Sequence, residues 1–200
     1  MKKLLWVIQL FAVVAVCPVA VQAASLTPEN VVVSTTDQVL QVLRGADAGE
    51  NPQSAYDTID HLIVPHIDFQ QMSQKLLGEH WSSATAEQKE NFVTEFRKLL
   101  VKTYATTLQQ YAKEKIAYLS EQVKQYANVA TVRSQVIKDA GSPVSIDYRL
   151  HQQNGEWKVF DVAVDGVSLV ANYRVMFDQE ISTLGIDGLI STLSAHNQLL

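Results

Sequence analysis

The apolar residues of this chain change their spacing twice, from helical to alternating and back to helical. That order points to a sheet flanked by helices. Thr27-Pro28 reads as an N-cap followed by a first-turn proline, with Val32, Val39, Val42 and Leu43 behind it. Gly45 and residues 46–51 end that helix. Pro52 opens a second, carrying Tyr56, Ile59, Leu62 and Ile63. Pro65 stops it, because the residue before a proline avoids the α region. A third helix runs from about Asp68 to Leu77, with Phe69, Met72 and Leu76 on one face and Gly78 as C-cap. The strongest helix begins at Thr85, which forms a capping box with Gln88. Phe92, Phe96, Leu99, Leu100, Tyr104, Leu108 and Tyr111 follow it as one apolar stripe.

From Ile116 the period is two. Ile116 to Val123 reads as a strand. Ala130, Val132, Ser134 and Val136 then alternate with Thr131, Arg133 and Gln135. After Pro143, Val144, Ile146, Tyr148 and Leu150 alternate with Ser145, Asp147, Arg149 and His151. Asn154-Gly155 is a strong hairpin signal, and Trp157 to Asp165 makes the next strand. Clean alternation in the third strand predicts one buried and one wet face. The fourth is apolar on both, with Trp157 and Val159 on one face and Phe160, Val162 and Val164 on the other. Ser168 then caps a helix holding Leu169, Tyr173, Met176, Phe177 and Ile181. Gly185 ends it, and Asp187 caps a last short one with Leu189, Ile190 and Leu193. The expected class is α+β: an antiparallel or mixed four-stranded sheet wrapped by about six or seven helices.

The first residues address the chain for export. Lys2 and Lys3 precede the apolar run Leu4 to Val16, Pro18 breaks it, and Val21-Gln22-Ala23 offers small residues for cleavage. The run is shorter than the roughly 20 residues a membrane span needs. A signal peptide over 1–23 and a single domain over 24–200 are therefore expected. The one cysteine, Cys17, lies within the signal, and Val16 before it is too large for a lipoprotein site. The exported chain then has no disulfide to rely on. Without Lys2 and Lys3, 16 basic residues become 14 against 21 acidic ones, a net charge near −7. Nucleic-acid binding, which needs neutralised phosphates, does not fit that balance.

Catalytic patterns are weak. Gly166-Val167-Ser168 lacks the second glycine of a nucleophile elbow. His61 and His66 straddle Pro65, so they do not share a helix face as a zinc pair does. No metal or cofactor set is expected. The best acid–base candidates are Asp161 and Asp165 with Tyr148. Strand geometry sets the two carboxylates about 13 Å apart, beyond the roughly 5–9.5 Å of a working pair. A solvated face and a turn residue are the plainer explanation. An isomerase- or dehydratase-like enzyme in a cone-shaped α+β fold stays open as an alternative, as does a periplasmic adaptor that holds no ligand.

Several stretches together resemble one family. They are Val64-Pro65-His66-Ile67-Asp68-Phe69, Leu77-Gly78 with Trp81, and Ser83 to Gln88 with Phe92, Phe96 and Tyr104. Later come Trp157 to Val162, Gly166-Val167-Ser168-Leu169 and Gly185 to Leu189. This set resembles the MlaC family, also called the toluene-tolerance auxiliary component. The resemblance covers nearly the whole exported chain, with Gly45 to Ser54 and the tail after Leu193 matching poorly. It implies a cone-like α+β fold with a deep apolar pocket and no chemistry on the lipid. It implies a periplasmic carrier whose cargo is phospholipid. The implied partners are an outer-membrane lipoprotein–porin complex and the lipid-binding subunit of an inner-membrane ABC transporter, and the implied outcome is outer-membrane lipid asymmetry.

The residues expected to meet lipid lie first on the inward sheet face: Val132, Val136, Val144, Ile146, Tyr148 and Leu150, with Phe160, Val162 and Val164. Leu99, Tyr104 and Leu108 on the long helix and Met176, Phe177 and Ile181 near the end are expected to close the pocket. Arg97, Lys98 and Arg133 are the charged rim candidates. Ordinary core packing competes with the lipid assignment at each apolar position.

Overall fold

The computed structural model describes residues 27–45, 56–138 and 140–200. The expected signal peptide over 1–23, the turn after Gly45 and the helix start at Pro52 lie outside them. Helix α1, Pro28–Leu43, begins as its chemistry dictates, with Thr27 Oγ1 accepting from Asn30 N at 3.1 Å. The expected second helix loosens soon after Tyr56 into a π turn, Ile59–Ile63, and a 3-10 turn, Val64–His66. Pro65 has no N–H to continue an α ladder. Helix α2, Phe69–Leu77, is capped by Asp68, whose Oδ1 accepts from Gln71 N at 2.8 Å.

Gly78 turns the chain at φ 53 into the short α3, Glu79–Ser83. A Cβ there would meet only the flexible end of the Arg174 side chain, so it is the positive φ that calls for glycine. Helix α4, Ala86–Tyr111, makes both bonds of the capping box, Gln88 N to Thr85 Oγ1 at 3.1 Å and Thr85 N to Gln88 Oε1 at 3.0 Å.

The strands are β1 Lys115–Tyr118, β2 Lys124–Tyr126, β3 Val129–Ile137, β4 Val144–Gln153, β5 Glu156–Val164 and β6 Val167–Ser168. They form one six-stranded antiparallel sheet in the order β1-β3-β4-β5-β6, with β2 also paired to β3. Six replace the expected four for two local reasons. The stretch Ile116 to Val123 does not run straight, because a 3-10 turn at Ser120–Gln122 divides it into β1 and β2. At the other edge, Asp165 and Gly166 take φ 48 and 83, which folds Val167–Ser168 back onto β5.

One extra residue decides which way β5 faces. Arg149 pairs with Asp161 but Leu150 pairs with Val159, leaving Phe160 as a bulge. The parity of the strand therefore flips there. Trp157, Val159, Val162 and Val164 share the face of Leu150, Tyr148 and Ile146, which corrects the expected division of β5 into opposed apolar sets. Phe160 points the other way, edge-on to His151 at 5.7 Å between ring centres and under the Lys75 ammonium.

Beside Phe160 and the buried Ala163, the opposite face is polar. There Arg133 holds Asp147 through two bonds of 2.5 and 2.6 Å, which keeps the Asp147 carboxyl below the usual carboxylate range. A lowered native pKa stabilises the fold above the ordinary carboxylate pKa, and that stability fades as pH falls through the native value. Wild type should thus lose more stability than Arg133→Ala between about pH 6 and pH 2. Denaturant midpoints across that window check it, and parallel curves for the two proteins would contradict it.

Helix α5, Leu169–Leu199, is interrupted at Gly185, where φ 72 and ψ 177 leave the helical region as expected. Its start is fastened to the sheet. Ser168 Oγ accepts from Ala171 N, while the buried Asp161 carboxylate takes Ser168 Oγ at 2.7 Å, Val170 N at 3.1 Å and Arg149 Nη1 at 2.8 Å. Asp161, expected on a solvated face, is instead 3% exposed because three donors replace its water.

Three apolar clusters follow from this layout. One joins α2, α4 and α5 around Phe92, Phe96 and Phe177. The second lays Val31 and Val32 of α1 on Ala130, Val132, Leu150, Trp157 and Val159 of the sheet. The third gathers Val39, Leu40 and Leu43 with Ile59, Ala105 and Ala112.

Candidate functional site

Where the three clusters meet, the packing leaves a cavity of about 100 Å³. Its walls come from each cluster. The sheet supplies Val159 and Val162, brought onto one face by the bulge at Phe160. Helix α4 supplies Leu100, Val101, Tyr104 and Leu108. The π and 3-10 turns supply Ile59, Ile63 and Val64, and the strand-to-helix passage beyond them supplies Ile67, Phe69 and Met72. Leu169 at the head of α5 completes the lining. Every one of these side chains is apolar or aromatic, so the cavity offers an acyl chain contact and a headgroup nothing.

The stripe of α4 thus does two jobs. Its first half, Phe92, Phe96 and Leu99, is buried against α5. There Phe92 and Phe96 stack at 5.9 Å and each meets Phe177 edge-on. Its second half, from Leu100 to Leu108, turns to the cavity. Tyr104 belongs to both regions. Its ring lines the cavity, and its phenol is hydrogen-bonded to Tyr173, whose own phenol is pushed up mainly by burial.

The walls differ in how they are tied. The sheet wall is held by full ladders, and α4 is bound to α5 near its end by Asn197 Nδ2 donating to Glu95 O at 3.0 Å and by Lys102 donating to Asn197 O. The stretch Ile59 to Ile67 has lighter tethers. Among the described residues its polar ties to other elements include the surface pair Arg97–Asp60, Lys158 Nζ to Pro65 O at 2.8 Å, and the bridge of Ile67 to Val159, while Ile59 packs with α1 in the third cluster. Just beyond it, Asp68 Oδ2 meets His151 Nε2 at 2.8 Å.

Of the residues expected to meet lipid, Tyr104, Leu108 and Val162 line the cavity. Tyr148 neighbours Val162 across the β4–β5 ladder, with its phenol pushed up by burial. Val132 and Leu150 are packed beneath α1, Val136 is buried further along β3, and Val144 and Ile146 are half-buried on the same face. Val164 is 40% exposed at the strand end. Leu99, Phe177 and Ile181 lie inside the helical cluster, and Phe160 packs against it from the far side of the bulge. Met176 is 47% exposed on α5, away from the cavity. The rim candidates Arg97, Lys98 and Arg133 are engaged by Asp60, Glu95 and Asp147.

Sequence reasoning missed most of the turn-built wall. The signal for it was present in Val64 to Phe69, but as a motif without a place in space. The acid–base candidates have structural duties: Asp161 fastens α5, and Asp165 turns the chain, accepting from Ser145 N at 2.8 Å. Among the described residues no cluster of His, Cys, Asp or Glu is arranged to hold a metal, and no helix is long and apolar enough to cross a membrane.

Known proteins are similar to this chain in sequence, and a solved one also in architecture. The family model described as MlaC protein matches residues 33–195. The intermembrane phospholipid transport system binding protein MlaC of Haemophilus influenzae is 28% identical over 147 residues, covering 72% of this chain and 69% of that protein. The toluene tolerance protein ttg2D of Pseudomonas putida is 28% identical over 181 residues, covering 89% of this chain and 83% of its own. A phospholipid-binding protein from Ralstonia solanacearum, solved in complex with a phospholipid, superimposes with a TM-score of 0.79 at 32% identity. That alignment covers 87% of this chain and 98% of the other.

Proposed function

Because the chain belongs to the MlaC family, we propose that it is a periplasmic phospholipid carrier. In this reading it shuttles lipid between an outer-membrane lipoprotein–porin complex and an inner-membrane ABC transporter complex, and so maintains outer-membrane lipid asymmetry. The observation that carries the reading is the cavity between α4 and β5, lined wholly by apolar and aromatic side chains. The names of the relatives, one for intermembrane phospholipid transport and one for toluene tolerance, agree with it. The export pattern over 1–23 supplies the compartment, and a single domain over 24–200 the carrier body. Phospholipid is cargo here, and the reading calls for no cofactor.

Energetics shape how such a carrier works. Each buried methylene is worth about 0.8 kcal/mol. Two tails of roughly 30 methylenes therefore gain on the order of 24 kcal/mol. That exceeds the ceiling of about 18–21 kcal/mol for non-covalent binding. Release into water is too slow to serve transport, so the tails must pass through a dry path into a docked partner. The cavity must also widen. At about 30 Å³ per water-sized group, 100 Å³ holds few carbon atoms of an acyl chain. The lightly tethered stretch Ile59 to Ile67 is the wall that gives with least loss of ladder bonds.

The test is uptake followed by recovery. Protein incubated with phospholipid vesicles and then separated from them should carry phospholipid of unchanged mass. Lysolipid or free fatty acid in the recovered fraction would overturn the carrier in favour of an enzyme. A protein that takes up nothing would leave the ligand-free adaptor.

A further inference from the structure

Among the described residues that line the cavity, Tyr104 alone carries a hydroxyl. Its ring faces the cavity, while its phenol meets that of Tyr173 on α5. Burial first, and then the Tyr104 phenol beside it, push the Tyr173 phenol up. A hydrogen bond that favours the neutral phenol is one in which that phenol donates. Tyr173 is therefore the donor of the pair and Tyr104 the acceptor. Two phenols bring two protons, and one bond uses only one of them. The Tyr104 O–H is left with no protein acceptor among the described residues.

The surroundings of this hydroxyl point to a ligand. Tyr173 lies one helical turn beyond Leu169, which also lines the cavity. Just before Leu169 the sheet wall of the cavity runs out to the surface. Val164 follows Val162 on the inward face of β5, and Val167 of β6 pairs with Val164. These two valines are 40% and 62% exposed. The head of α5 thus brings an apolar strip leading out of the cavity next to a free hydroxyl donor. In a glycerolipid the groups directly above the tails are ester carbonyls, which are uncharged acceptors. We propose that the cavity opens at the head of α5 and that the Tyr104 O–H donates to an acyl ester carbonyl of the bound lipid, which sets how deep the tails sit. The proposal rests on the carrier reading. It leaves the phosphate outside the cavity, in keeping with a lining that holds no cation. Phosphate oxygens accept such a bond too, and the experiment separates the two acceptors.

Tyr104→Phe removes the hydroxyl and keeps the ring. Wild type and variant are each incubated with vesicles holding diester and diether phosphatidylglycerol of matched chains in equal amounts. The ratio of the two bound lipids, read by mass spectrometry, does not depend on how much of each protein is folded. Wild type should enrich the diester about fivefold, the effect of one neutral hydrogen bond, and Tyr104→Phe should bind the two equally. A wild type without preference, or a preference that Tyr104→Phe retains, overturns the proposal and leaves the carrier standing. Vesicles holding diester phosphatidylglycerol and diacylglycerol test the phosphate, and here the two proteins should give the same ratio. A phosphatidylglycerol preference that Tyr104→Phe loses would assign the bond to the phosphate and refute the ester. A wild type that takes up none of these lipids overturns the proposal and the carrier together.

Discussion

Val162→Trp should lower the phospholipid carried per chain by about tenfold or more, while changing the stability of the lipid-free protein by less than about 1 kcal/mol. Val162 stands on β5 with its side chain in the cavity wall, so the added ring enters space the tails need and displaces little packed protein. Val132→Trp is the contrasting substitution, two strands away on the same face. Val132 is 1% exposed beneath α1, in a cluster with Val31, Leu150 and Trp157. Overpacking there should cost about 3 kcal/mol, and the molecules that still fold should keep their lipid. Denaturant midpoints and bound lipid, measured on both variants, give opposite orderings. A destabilised Val162→Trp that still carries its full lipid would place the cargo elsewhere.

Phe96→Ala should destabilise the protein by about 3–5 kcal/mol. Phe96 is 0% exposed and touches three rings, stacked on Phe92 and edge-on to Tyr173 and Phe177. Its removal opens a void at the joint of α4 and α5, and neither helix can close it without giving up the remaining aromatic contacts. Phe96 does not line the cavity, so lipid bound per folded chain should hold. Loss of lipid at unchanged stability would mean that the aromatic cluster is part of the binding site. Chemical denaturation with lipid quantification at each step separates the two results.

The parts of this fold that were legible in the sequence are those decided within a few residues. The capping box of Thr85 and Gln88, the alternation of Ala130 to Val136, and the breaks at Asn154-Gly155 and Gly185 all appear where local chemistry puts them. The misreadings share a different cause. The bulge at Phe160 adds one residue without altering composition, yet it moves Val162 and Val164 to the other face of β5. Asp161 looks like a solvated residue until α5 returns to offer it Ser168 and the Val170 N–H. The cavity is harder still, because it belongs to no element. It exists where α4, the irregular turns and β5 fail to close on one another, and periodicity along a chain carries no information about such a gap. Tyr104, Leu108 and Val162 were legible because each lies on an apolar stripe that continues past its packed half. Ile63, Val64 and Ile67 were not, since π and 3-10 turns present no regular face.

The carrier reading stands most directly on what the cavity holds when the protein leaves its native envelope. Purification from the periplasm under mild conditions, denaturing extraction and mass spectrometry of the extract should yield phospholipid in roughly molar proportion to protein. Val162→Trp prepared in parallel should yield little. Wild-type protein that is repeatedly empty under the same conditions would contradict the account and leave the apolar cavity as ordinary imperfect packing.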